Sequence, residues 1–500
     1  MKSKRMIKGF LSIAVMALLL AACGGGGGTT GDSSGTVAVP GTGTATIQGQ
    51  VSGTTVIAVD DDTDLEAGRV TASGTPKTFG MTLPTGNAYR FYLMENEGAG
   101  NAGRIYPVYM GSTNVFQMTS AANNHTIDLG MVSPDFTKGN AFPANNPMGY
   151  PGVMAGGENR SIPPFLSGAA FSMGDLQGTW DFNSLATSGT IGWMHGVLFV
   201  DNTGMGGMTS LIRNGMPWPS TDNVPFSMFP CGIVGMGDDN TFHGFLSKDK
   251  TMMAATWTDN TGGSALMIFR KRGGAFAQND LFGTWNFHRL TAGSDHATSG
   301  WASGTMTMSS PGTAIVNAIQ THNNDMSEVG SSFFVSMGGD GIVTSSGDNT
   351  FHGVMSQDKN MMVVTRTGAS GHYDLMVLMR SDAGAPYSTT DLTGDWMQHG
   401  VISGNPNDTD WNFGQMVMDP TGQAAFNGMM GRTGAFSMQP ATFAMNSSGV
   451  ITMGGTGMGG GMMNPMMAQT YSGLMNPAKD LMVATFSDGN GGYQLGIGMK

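Results

Sequence analysis

Cysteine is nearly missing from this chain: Cys23 and Cys231 are the only two among 500 residues. A disulfide framework is excluded, so stability has to come from buried cores, which a chain this long builds as several domains. Charge is scarce as well, at 12% of residues, and acidic side chains outnumber basic ones 35 to 23. An acidic, lightly charged protein lacks the basic surface that nucleic acid requires, so no nucleic-acid partner is expected. The one apolar run near the start, Phe10 to Leu20, is too short for an ordinary membrane-spanning helix. No sustained helical period follows it. Short apolar stretches are punctuated instead by glycine, threonine, asparagine and aspartate, which reads as all-β. Signature motifs of catalysis are missing too: there is no His-Glu-x-x-His, no Gly-x-Ser-x-Gly and no Gly-x-x-x-x-Gly-Lys. Gly455-x-Gly457-x-x-Gly460 fits a dinucleotide fingerprint by letter only, since no helix pattern follows it.

What is present begins with a basic head, Lys2, Lys4, Arg5 and Lys8, ahead of that apolar run, which is the layout of a secretory signal. Leu20-Ala21-Ala22-Cys23 then resembles the lipobox of bacterial lipoproteins. The resemblance implies cleavage before Cys23, with diacylglycerol on its sulfur and a further acyl chain, typically palmitate, on its amine. Several acyl chains anchor stably where one would be marginal, so the membrane is the implied partner. Residues 1–22 are then a signal peptide. Residues 23–43, rich in Gly, Ser and Thr, form a lipidated flexible tether. Gly24 after the cysteine implies, for a lipoprotein of Gram-negative type, a place in the outer membrane of the cell envelope. Cys231 would remain as a lone thiol beside the strand candidate Cys231-Gly232-Ile233-Val234, where a packing role is expected.

Residues 44–132 make a first module. Its strand candidates include Thr46–Val51, Thr55–Val59, a stretch ending in Leu83-Pro84-Thr85-Gly86, and Tyr89–Leu93. Their order resembles the carboxypeptidase regulatory-like family, a prealbumin-like β-sandwich in which the Leu-Pro-x-Gly turn feeds the next strand; the resemblance implies an accessory module without chemistry. Asp60, Asp62 and Asp64 alternate as in a calcium loop, but Leu65 stands where an EF-hand needs glycine, so an acidic hairpin tip held in solvent is the expectation. Residues 133–173, with six prolines among Asn and Gly, read as an extended linker.

The remainder is a tandem array. Asp175-Leu176-Gln177-Gly178-Thr179-Trp180 returns as Asp280-Leu281-Phe282-Gly283-Thr284-Trp285 and as Asp391-Leu392-Thr393-Gly394-Asp395-Trp396. A second signature, Asn240-Thr241-Phe242-His243-Gly244, returns as Asn349-Thr350-Phe351-His352-Gly353 and is degraded in the third unit, which has Ser472 at the histidine position. These signatures bound three β repeats at residues 174–273, 279–382 and 390–500, the last carrying a Met- and Gly-rich insertion at 454–467. Asp249-Lys250 and Asp358-Lys359 read as turns with exposed ion pairs.

Eight strand candidates per unit fit a closed antiparallel meander, because closure removes exposed edges. A Gly-x-Trp on the first strand and a basic residue on the last resemble the lipocalin and wider calycin pattern. That resemblance implies a cation packed across the indole at the closed end of each barrel: Trp180 with Arg270, Trp285 with Arg380, and Trp396 with Lys500. The expected fold is therefore all-β, an N-terminal β-sandwich followed by three small lipocalin-like barrels whose interiors are filled by side chains. The alternative is a β-propeller in which each unit supplies two blades.

Two residue groups are candidates for chemistry. Met462, Met463, Met466 and Met467 could gather thioethers around Cu(I), against the plainer reading that the 45 methionines replace Leu and Ile in cores. His243 and His352 share a repeat position with no acidic or nucleophilic partner at fixed spacing, so a structural role is expected. No cofactor and no catalytic residue is indicated. The expectation is a non-enzymatic, lipid-anchored envelope protein that binds a small molecule, glycan or protein, or serves surface structure. Copper handling and hydrolysis of envelope carbohydrate are the alternatives, the latter requiring two facing carboxylates in a deep cleft.

Overall fold

Alternating burial along each repeat decides its shape. In the second repeat Trp285, Phe287, Met376 and Leu378 turn to one side and form one core, while Leu290, Leu375 and Val377 turn to the other and join a different core. A strand with two buried faces belongs to a wall packed on both sides. The structure is a computed structural model that describes residues 43–96, 103–167, 170–237, 239–258, 262–368, 371–381, 386–404, 410–454, 471–487 and 492–500. Cys23, the signal, the tether to residue 42 and Met462, Met463, Met466 and Met467 lie outside them.

Each repeat closes into an eight-stranded antiparallel barrel. In barrel 2 the strands are Gly283–Ala292, Gly300–Ser309, Thr313–Thr321, Ser332–Met337, Ile342–Ser345, His352–Met355, Met361–Thr367 and Tyr373–Arg380, and the last pairs with the first in the register Trp285↔Arg380. Barrels 1 and 3 repeat the order from Gly178–Ala186 to Ser264–Lys271 and from Gly394–Ser403 to Tyr493–Met499. Closed barrels, each complete within one repeat, rule out the propeller.

Ahead of them stand two sheets. One holds Thr78–Pro84, Thr44–Val51, Thr126–Asp135 and Asn140–Pro143; the other runs Val153–Ala155, Phe116–Met118, Ala88–Glu95, Thr55–Asp60 and Glu66–Thr71, with Arg104–Pro107 also on Ala88–Glu95. The expected linker at 133–173 is corrected by this pairing. Asn140–Pro143 and Val153–Ala155 are edge strands, one on each sheet. Proline is tolerated at a sheet edge because the N–H it lacks would face outward, and the proline content alone hid these strands.

The barrels do not hang as separate beads. The first two strands of barrel 1 pack on the last strands of barrel 2, those of barrel 2 on the last strands of barrel 3, and those of barrel 3 on Met252–Thr258 and Ser264–Lys271 of barrel 1. Three head-to-tail contacts of one kind therefore close a ring. Outward-facing residues of all three barrels, among them Leu185, Leu266, Leu290, Leu375, Val401 and Leu495, share a single core with the two N-terminal sheets.

Candidate functional site

The repeated Asp-Leu-x-Gly-x-Trp signature is a plug for one end of each barrel. Its aspartate side chain accepts the main-chain N–H three residues earlier, at Ser172, Ala277 and Ser388. Its leucine is fully buried, and its glycine takes φ of 127°, 132° and 128°, a region only glycine adopts without strain. The indole N–H then donates to that leucine's carbonyl at 2.8, 2.8 and 2.7 Å. A cation covers the indole: Arg380 lies 4.5 Å over Trp285 and Lys500 lies 4.7 Å over Trp396.

In barrel 1 the cation is not Arg270 but Lys271, 5.3 Å over Trp180, because the register pairs Trp180 with Lys271. Successive residues of a strand face opposite sides, so one step moves Arg270 out of the barrel. There its guanidinium meets Asp181 at 2.7 Å. The expected Asp-Lys pairs are also corrected. Lys250, Lys359 and Lys479 bind Asp175, Asp280 and Asp391 of the plug at 2.9, 2.8 and 2.8 Å, while Asp249 accepts from Ser247 and Thr251 beside it.

The acidic hairpin tip stands in solvent as expected, with residues 62–66 exposed, and is also tied down by its neighbours. Asp61 and Asp64 both turn to the buried guanidinium of Arg90, and Asp60 accepts from Thr63 and Asn87. Asp62 remains exposed. Among the described residues no three His, Cys, Asp or Glu side chains converge on a metal position.

Histidine and tryptophan do the joining between barrels, which the sequence reading missed. Trp193, Trp301 and Trp411, at matching places on the second strands, donate to Thr367, Ser487 and Thr258 of the next barrel at 2.9, 2.9 and 2.5 Å. Three residues after each plug tryptophan stand Asn183, His288 and His399, which meet Thr365, Thr485 and Thr256. His352 bonds Asn183 at 2.8 Å and stacks on His195 with ring centres 3.6 Å apart, and His243 stacks on Phe413. Burial pushes His288 and His399 down to about 3 and His243 and His352 down to about 4, so all four stay neutral. The spacing of Trp193, Trp301 and Trp411 was the available signal.

A second polar knot docks the N-terminal sheets. Arg104 donates to the main-chain oxygens of Cys231, Leu246 and Lys500 at 2.8, 3.0 and 3.2 Å, and its guanidinium lies 3.5 Å over Phe245. Glu95 meets Gln415 beside it, and Asn96 exchanges two hydrogen bonds with the main chain of Asp395. Burial raises the Glu95 carboxyl well above the carboxylate range, with Asp395 adding to it, and raises Asp395 to about 6. Cys231 is buried in this contact and its thiol is raised to about 12 by burial, so it is no nucleophile.

The three lumens differ. In barrel 1 Phe182 pairs with Phe269, ring centres 5.2 Å apart, and Ser184 pairs with Met267. In barrel 2 the same places hold Phe287 with Leu378 and Arg289 with Met376. In barrel 3 they hold Gln398 with Gly498 and Gly400 with Gly496. Two glycines and a glutamine thus stand where the other barrels carry aromatic and aliphatic bulk. Met482 turns into the place beside Gly498 and Gln494 into that beside Gly400, and the space that remains is a cavity of about 70 Å³ lined by Gln398, Phe443, Tyr471, Met482, Phe486 and Gln494. Barrels 1 and 2 meet the expectation of filled interiors; barrel 3 departs from it. Methionines fill the packed lumens, with Met253, Met267, Met362 and Met376 buried.

The end of barrel 2 away from Trp285 opens into a wider space of about 690 Å³ containing Arg289, Glu328, Arg366 and Asp374. Four carboxylates line it, Asp325, Glu328, Asp348 and Asp374, where a carbohydrate hydrolase requires two facing ones. Arg289 holds Glu328 below the usual carboxylate range against the opposing effect of burial, so Glu328 has no proton to give a leaving group.

No protein-family model matches the sequence, and no curated protein does. Among solved structures, a protein of unknown function from the DUF3598 family of Nostoc punctiforme PCC 73102 is 10% identical, with 66% of this chain and 97% of that chain covered at a TM-score of 0.16. The isotype 1 transferrin binding protein B of serogroup B Neisseria meningitidis is 12% identical over 64% of this chain and 75% of that chain, with a TM-score of 0.20. A Trp-176-Ala mutant of the transferrin binding protein B of Haemophilus parasuis Hp5 is 10% identical over 65% and 75%, with a TM-score of 0.24. Similarity this slight carries neither fold nor function across.

Proposed function

We propose that this chain is a non-catalytic binding protein of the cell envelope, anchored in the outer membrane by acyl chains on Cys23. Its N-terminal sheets serve as a prealbumin-like docking module, and its ring of barrels holds barrel 3 as the binding cup. The lipobox and the Gly24 that follows it support the address. The observation that carries the binding reading is the vacated lumen: at three matched positions barrels 1 and 2 spend bulk on packing, and barrel 3 carries Gln398, Gly496 and Gly498. A cavity costs stability, since lining atoms lose contacts and the apolar burial is forgone. The sequence contains two packed solutions of the same site, so barrel 3 is hollow by composition and not by the limits of the fold. Aromatic and thioether walls with the amides of Gln398 and Gln494 suit a ligand of a few heavy atoms bearing one polar group, since about 70 Å³ is half of the roughly 150 Å³ that holds a benzene ring.

The test is Gly496→Met, which copies Met267 and Met376. A Cβ at Gly496 meets nothing closer than the His399 carbonyl at 3.8 Å, so the new side chain enters free space. The variant is expected to unfold at higher urea than the parent, by roughly 1–2 kcal/mol for one buried apolar side chain, and to lose binding of ethanol followed by ligand-observed NMR. Unchanged ethanol binding in a folded Gly496→Met protein overturns the reading.

A further inference from the structure

The open end of barrel 2 carries charge where its siblings carry none. Arg289 occupies the place of Ser184 in barrel 1 and Gly400 in barrel 3; Asp374 that of Ala265 and Gln494; Arg366 that of Trp257 and Phe486. At these three positions the other two barrels carry neutral side chains, although Trp257 of barrel 1 donates to Asp239 at 2.7 Å, so the fold does not need charge at these positions. Buried ion pairs, for their part, rarely stabilise more than apolar packing of the same volume. Arg289 and Asp374 are 8% and 3% exposed.

Their geometry is a fixed lattice of donors and acceptors. Both terminal nitrogens of Arg289 grip the Glu328 carboxylate at 2.9 and 2.7 Å, Arg366 Nε donates to Asp374 at 3.0 Å, and Thr291 Oγ1 donates to the other oxygen of Asp374 at 2.6 Å. Arg289 Nε is buried and has no partner. The two cations and two anions of this floor neutralise one another, and Asp325 and Asp348, which also line the space, accept from Ser327 and Thr350 and add acceptors at its rim. The floor offers donors and acceptors side by side, the pattern that adjacent hydroxyl groups satisfy, each giving one hydrogen bond and accepting two. The half-buried His322 ring, tilted against Tyr493 at 4.5 Å, lines one wall, and the space lies within the range of pre-formed ligand sites.

We infer that the mouth of barrel 2 is a second binding site, independent of the barrel 3 lumen, for a neutral hydroxyl-rich ligand the size of a mono- or disaccharide. The experiment is saturation-transfer NMR on the full chain, held in a detergent without a sugar headgroup, with glucose, N-acetylglucosamine, cellobiose and chitobiose as probes. Transfer to ring protons of at least one probe is expected, with affinity at least about tenfold weaker in Asp374→Ala. Ala297→Trp, which adds bulk at the exposed rim and leaves the ion pairs intact, is expected to abolish it; should Asp374→Ala fail to fold, Ala297→Trp decides alone. Silence from all four sugars, equal transfer with Ala297→Trp, or displacement of the sugar by inorganic phosphate or spermidine overturns the proposal.

Discussion

Arg104→Met is the sharpest test of how the N-terminal sheets are held on the ring. Methionine keeps most of the apolar stem and removes only the guanidinium. That group donates to one main-chain oxygen in each of three segments, at Cys231, Leu246 and Lys500, and covers the face of Phe245. Two effects oppose each other. Stripping water from a buried guanidinium is costly, which is why burial lowers its pKa to about 10, and an apolar replacement escapes that cost. Against this, the buried oxygens of Cys231 and Leu246 and the half-buried one of Lys500 lose a charged donor, at roughly 1–3 kcal/mol for each buried one left unpaired, and the ring contact goes too, at about 1–2 kcal/mol. Methionine cannot supply any of the three bonds, so the losses outweigh the relief, and a net destabilisation of about 3–5 kcal/mol is expected, in the range for removing one partner of a buried charged contact. Urea unfolding followed by tryptophan fluorescence measures it, and limited proteolysis should release the N-terminal sheets before the barrels are cut. A change smaller than about 1 kcal/mol, with the proteolysis pattern intact, would mean that desolvation cancels the hydrogen bonds and that apolar contact alone holds the module.

Acid should weaken the ring. His288 and His399 have folded pKa values of about 3 against roughly 6.5 in an unfolded chain, so between those values the unfolded state binds the extra proton and stability falls as pH drops, by about 1.4 kcal/mol per unit for each histidine. Asp395, raised to about 6, acts in the opposite sense: its contribution is present below the ordinary carboxylate range and is lost as pH rises through 6, so it offsets part of the slope between about 4 and 6. His288→Asn copies Asn183 in the matching seam, and its urea midpoint should depend less on pH from 7 to 4; an unaltered dependence would remove histidine from the account. For the anchor, labelled palmitate should enter the wild-type chain, and Cys23→Ala should leave it unlabelled in the soluble envelope fraction. Recovery of Cys23→Ala in the labelled membrane fraction would refute lipidation at that residue.

Much of this architecture is readable in the chain because a repeat states its own boundaries. Three copies of Asp-Leu-x-Gly-x-Trp fix where each barrel starts, and alternation then supplies eight strands. What escaped was of two kinds. Register escaped at Arg270, because Arg270 and Lys271 are adjacent cations and composition cannot say which one faces the indole; one step along a strand exchanges the lumen for the outer wall. Association escaped because both faces of the first and last strands are apolar. Leu185, Leu290 and Val401 read as barrel core in any one unit, and only coordinates separate the face that lines a lumen from the face that meets the next barrel.

That second face explains why the array is a ring. In a head-to-tail chain the same contact repeats, and an open chain would leave one apolar face bare at each end. Three copies close because barrel 3 carries the complement of barrel 1: Trp411 meets Thr258 as Trp193 meets Thr367 and Trp301 meets Ser487. Closure also frees individual lumens from structural duty. Each barrel wall is packed from outside by its two neighbours, so a lumen can lose Phe and Met, as barrel 3 has at Gln398, Gly496 and Gly498, without losing the barrel. The packed barrel 1, the charged mouth of barrel 2 and the hollow barrel 3 are then three uses of one wall, made compatible by the seams that Asn183, His288 and His399 hold.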